Sequence, residues 1–120
     1  MKVALTTTGS DLSDPLEPRF GRAPKFLVYD LDSDTFMVVD NNKNLNAVQG
    51  AGIQSADTIA RIGASALITG HCGPKAFRVL SAAGVKVYAS SARTVEEAIT
   101  LFRQGKLSES QSADVEGHWV

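Results

Sequence analysis

Two glycine-rich turns, Gly50-Ala51-Gly52 and Gly70-His71-Cys72-Gly73-Pro74, each open a stretch of helical apolar spacing. The first turn of a helix carries N–H groups without intrahelical partners and a partial positive charge, so both turns suit an anion. A third segment, Arg19-Phe20-Gly21-Arg22, adds two guanidiniums, and Lys43 and Lys75 lie on neighbouring loops. The candidate binding residues are therefore Arg19, Phe20, Gly21, Arg22, Lys43, Gly50, Gly52, His71, Gly73 and Lys75, with Cys72 as the candidate metal contact. Glycine turns and surface cations also serve purely structural ends, so spacing alone leaves a cap-and-turn reading beside the anion site.

Other chemistries fit less well. Gly50 to Ser55 begins like G-x-G-x-x-G, but Ser55 replaces the third glycine and no strand runs directly into it. Gly70 to Lys75 lacks the P-loop spacing, so neither a dinucleotide site nor a P-loop is supported. Cys72 is the one cysteine and His71 and His118 the two histidines, too few soft ligands for a zinc or iron–sulfur site built by one chain. A catalytic thiol needs a positioned base and an acid to orient it, and none is placed beside Cys72. A two-metal nuclease places carboxylates on its central strands, whereas the first strand here has none. No enzyme is expected.

The elements that must position these residues read as mixed α/β. Lys2–Thr8 is a strand, and Gly9–Pro24, with three prolines and two glycines, is a long loop. With few large apolar residues in it, that loop is expected to be mobile and to close over a ligand. Lys25–Leu31 and Thr35–Asp40 form an antiparallel hairpin across Asp32-Ser33-Asp34. Ile53, Ala56, Ile59 and Ala60 share one face of a helix from Ala51 to Gly63. Ala66–Thr69 is a strand buried on both faces, Pro74 opens the next helix, and Val85–Ala89 is the last strand. Thr94 and Glu97 form a capping box for a helix running to Gly105. The order predicts five mixed strands with helices on both faces, a three-layer α/β/α domain over residues 1–105. Residues 106–120, including Trp119, are expected to be a flexible tail.

Charge and composition restrict partners. Lys plus Arg is 12 and Asp plus Glu 13, which argues against a nucleic-acid protein acting through bulk positive charge. No apolar run approaches the roughly 18 residues of a membrane span, and the first residues lack the apolar region of a signal peptide. A cytoplasmic location is the expectation.

Arg19-Phe20-Gly21-Arg22-Ala23-Pro24, Gly50-Ala51-Gly52, Gly70-His71-Cys72-Gly73-Pro74-Lys75-Ala76-Phe77 and Gly84-Val85-Lys86-Val87-Tyr88, in this order, resemble the dinitrogenase iron–molybdenum cofactor biosynthesis family. The likeness spans about residues 1–105. It implies a ribonuclease H-like fold without nuclease activity. It also implies non-covalent carriage of a preformed anionic metal–sulfur cluster, a molybdenum–copper sulfide or an iron–molybdenum cofactor-type cluster, and a protein partner for its delivery or assembly. Such a cluster brings its own sulfurs and needs N–H donors and cations, which this chain offers. A non-catalytic regulatory module with an oxyanion site is the alternative.

Overall fold

Lys2–Thr7 forms β1, the middle strand of a five-stranded mixed sheet ordered β3-β2-β1-β4-β5. The computed structural model describes residues 1–45 and 50–111. β2 (Lys25–Asp30) pairs antiparallel with β1, Leu5 opposite Leu27, and β3 (Thr35–Asp40) pairs antiparallel with β2. β4 (Ala66–Thr69) and β5 (Lys86–Ala89) extend the other side in parallel, with Ala4 opposite Leu67 and Leu67 opposite Val87. This order and pairing are those of the ribonuclease H-like arrangement expected.

The period of two along β1 divides the core. Ala4, with Phe26, Val28, Leu67 and Val87, faces one layer; Val3 and Leu5, with Leu27 and Ile68, face the other. The first layer is α2 (Ala51–Ile62) and α3 (Pro74–Ala82), which contribute Ala56, Ile59, Ala76 and Leu80. The second is α4 (Val95–Arg103), which contributes Val95, Ala98 and Ile99. A short helix, α1 (Asn42–Leu45), follows β3. Among the described residues no helix is long and apolar enough to cross a membrane.

Most element boundaries match the sequence expectation to within two residues. Thr94 Oγ1 accepts from the Glu97 N–H at 3.1 Å, as the capping box requires. Ile53 departs from it: instead of joining the core face of α2 it is 38% exposed, because the first turn of α2 overhangs a cleft rather than the sheet. Beyond α4, Leu107 packs on the core and the Ser110 N–H donates to Val87 O at 2.7 Å, so the chain up to Gln111 lies along β5. His118 and Trp119 lie outside the described residues.

One buried polar side chain ties the layers to the site. Asn41, fully buried just after β3, donates from Nδ2 to Ala23 O at 2.7 Å and to Ser55 Oγ at 3.0 Å. Its own N–H donates to Pro24 O at 2.8 Å. The β1–β2 connection, the end of β3 and α2 thus meet on one amide. A buried acceptor left unpaired costs about 1–3 kcal/mol. Asn41→Ala should therefore lower unfolding free energy by about 2 kcal/mol in urea titrations. A Ser55→Ala cycle should show coupling between the two; additive losses would mean that the amide is not the joint.

Candidate functional site

The β1–β2 connection is fastened to the sheet along its second half. Thr6 Oγ1 donates to Glu17 O at 2.6 Å and Thr7 Oγ1 to Pro15 O at 2.8 Å. The Glu17 N–H returns a bond to Thr6 O at 2.8 Å, and the Leu16 N–H donates to Arg93 O at 3.1 Å. Then the chain crosses the end of β4. The His71 N–H donates to Pro18 O at 2.6 Å, and the Phe20 N–H donates to His71 O at 3.1 Å. A Cβ on Gly70 would stand 2.5 Å from Pro18 O, so only glycine permits this crossing.

The expected free loop is thus corrected. Leu16 and Phe20 are buried, and the Phe20 ring stacks on Phe26 with centroids 5.9 Å apart. Phe20–Arg22 form one turn of 3-10 helix that lies against the start of α2. A Cβ on Gly21 would come within 3.3 Å of the Gly52 backbone. Arg19 and Arg22 stand on this turn, both exposed. Their backbone is fixed while their side chains reach into solvent.

Between the turn and the starts of α2 and α3 lies a cleft of about 750 Å³. Arg19, Phe20, Gly21, Arg22, Gly50, Gly52, His71, Gly73 and Lys75 line it, so the fold brings together nine of the ten candidate binding residues. Lys43 is exposed on α1 and is not part of the wall. Cys72 is not on it either: it is 2% exposed among core residues, and its thiol faces Gly73 O at 3.7 Å. It sits behind the wall because the turn directs His71 outward and the next side chain inward. Ala51, Ile53, Pro74 and Ala76 complete the wall and make much of it apolar. Sequence reasoning missed Ile53; its place in the first helical turn, directly after Gly-Ala-Gly, was the available signal.

Gly50 and Gly73 are the N-caps, so neither helix start has a cap side chain of its own, and neither first turn has an acidic residue. Among the described residues no carboxylate lines the cleft; Glu17, outside the wall, lies 3.7 Å from Arg19 Nε. Helix N–H groups, two guanidiniums and an ammonium therefore act on one space, a field suited to an anion. Among the described residues no group of three or more His, Cys, Asp or Glu could hold a metal ion.

Residues 1–105 match the profile of the family described as "Dinitrogenase iron-molybdenum cofactor". An uncharacterized protein of Methanocaldococcus jannaschii is 34% identical over 110 residues, covering 89% of each chain. The apo form of the orange protein of Desulfovibrio gigas superposes with a TM-score of 0.91 at 38% identity, over 94% of this chain and 95% of that one. A Thermotoga protein of the DUF35 family, solved by NMR, gives 0.84 at 38% identity over 97% and 98%.

The crossing at Gly70 is the feature most open to test. Gly70→Ala should force Pro18 away and break both backbone bonds, at a cost of about 1–3 kcal/mol. Amide exchange at His71 and Phe20 should accelerate while the β1–β2 amides stay protected. Unchanged protection at both amides would contradict this account of the crossing.

Proposed function

This chain belongs to the dinitrogenase iron–molybdenum cofactor family, and on that footing we propose that the cleft binds a preformed, anionic metal–sulfur cluster without covalent bonds and carries it to a protein acceptor. The observation that carries this reading is the pairing of two glycine-capped helix starts with Arg19, Arg22 and Lys75 around a space that no carboxylate of the described residues lines. A sulfide-bridged molybdenum–copper cluster, or one of the iron–molybdenum cofactor type, fits this donor set. Its terminal sulfides accept N–H bonds and its net charge meets the cations. The apolar surface of Ile53, Pro74 and Ala76 suits the weakly hydrated sulfide faces and excludes water from them. Binding through many weak donors, rather than through protein–metal bonds, lets the cluster leave intact. The role is carriage, not catalysis.

Lys75 completes the cationic side, His71 lines the same wall, and Gly50, Gly52 and Gly73 allow close approach of the backbone. Lys43, one short helix away on α1, contributes at long range to the field that draws the cluster in. Cys72 holds the turn from behind.

Anaerobic mixing with tetrathiomolybdate and copper, followed by desalting, should leave coloured protein with both metals bound. Replacing Arg19 and Arg22 together by Glu should weaken retention by about tenfold or more. The melting temperature should stay the same, since both side chains are exposed. Retention equal to the parent would refute the reading. Colourless parent protein under full metal supply would favour the regulatory oxyanion module instead.

Cys72→Ala should still take up the cluster with the parent stoichiometry, losing only a little stability from the small void left in the core. Failure to reconstitute, with circular dichroism unchanged, would mean that the thiol turns outward and ligates the metal.

A further inference from the structure

A second cavity, of about 650 Å³, opens on the other side of the Pro18–His71 crossing. It lies where the sheet changes hands: the chain leaves β4 for α3 on one face and leaves β5 for α4 on the other. In open α/β sheets, the crevice beyond the carboxyl ends of two such strands is the usual place for a ligand. Here its walls include Gly70 and His71 from the end of β4, Ser90, Ser91 and Arg93 from the loop after β5, and Pro18 from the β1–β2 connection.

The polar side chains in it are hydroxyls, an imidazole and a guanidinium, and no carboxylate of the described residues lines it. Ser90 Oγ accepts from the Ala92 N–H at 3.1 Å, which fixes the side chain and leaves its hydrogen to donate. The Arg93 carbonyl accepts from the Leu16 N–H, so the exposed guanidinium is carried on an anchored backbone. The start of α4 is not part of the attraction: Thr94 caps it and Glu96 and Glu97 occupy its first turn. Ligand charge would therefore rest on Arg93, with His71 beside it.

From this placement we propose that the second cavity is a separate binding site for the phosphoryl group of a small phosphorylated molecule. A set of side-chain donors around one arginine matches a tetrahedral oxyanion with several acceptor oxygens better than a carboxylate with two. The volume falls within the roughly 300–1,000 Å³ of small-molecule sites and leaves room for more than the phosphate itself. The site does not depend on the cluster reading: His71 lines both cavities, but no other described residue is shared between their walls.

The test is an amide-resolved NMR titration of the full chain with glycerol 3-phosphate, inorganic phosphate and acetate at constant ionic strength. Saturable shifts at Gly70, Ser90, Ser91 and Arg93 are expected with both phosphates. Tighter binding of the ester would mark a phosphorylated metabolite as the occupant, and equal binding would mark free phosphate. Arg93→Gln should weaken the interaction about tenfold with the melting temperature unchanged. Shifts confined to Gly52, Gly73 and Lys75, shifts that never saturate, acetate binding as well as phosphate, or full affinity in Arg93→Gln would each overturn the proposal.

Discussion

The structure turns on a single close approach, the passage of Pro18 over Gly70. Two backbone hydrogen bonds hold it, from the His71 N–H to Pro18 O and from the Phe20 N–H to His71 O. They exist because Gly70 has no Cβ to push the two chains apart. The crossing brings the β1–β2 connection to the carboxyl ends of the parallel strands. It delivers Phe20 to the core and sets Arg19 and Arg22 at the rim of the cleft. Without it the helix starts at Ala51 and Pro74 would face open solvent, where their partial charges are screened.

From that placement the chemistry of the cleft follows. Its donors are mostly backbone N–H groups on helices packed against a sheet, so little reorganisation is needed when an anion arrives. Its cations are long, exposed side chains that add attraction and leave the groove easily. The wall between them is apolar. This combination favours a large, polarisable, multiply charged guest over a small hydrated ion, and it supplies neither a positioned nucleophile nor a protein-built metal site among the described residues.

Much of this was legible in the sequence, for identifiable reasons. The alternation of Val3, Ala4 and Leu5, the hairpin at Asp32-Ser33-Asp34, the proline at the first position of α3 and the Thr94 cap are local signals, and local physics decided them. The glycine turns and the Arg19-to-Arg22 segment converge because parallel strands carry their following loops to one end. What could not be read depends on distant partners. The Gly9–Pro24 connection looks unable to order itself, yet Thr6, Thr7, His71 and Arg93 hold its second half from three other parts of the chain. Asn41 looks like an ordinary loop residue until Ala23 and Ser55 close around it. Cys72 and His71, adjacent in sequence, face opposite ways, and no composition or spacing reveals which of them points inward.

The central claim is that backbone N–H groups of two helix starts hold the cluster. It is tested most directly by comparing amide spectra of apo and cluster-loaded protein. The account predicts that the largest downfield shifts fall on Ala51, Gly52, Ile53, Lys75 and Ala76, the amides of the two first turns, with smaller changes along Arg19 to Arg22. Loaded protein whose shifts centre elsewhere, with those five amides unmoved, would contradict it.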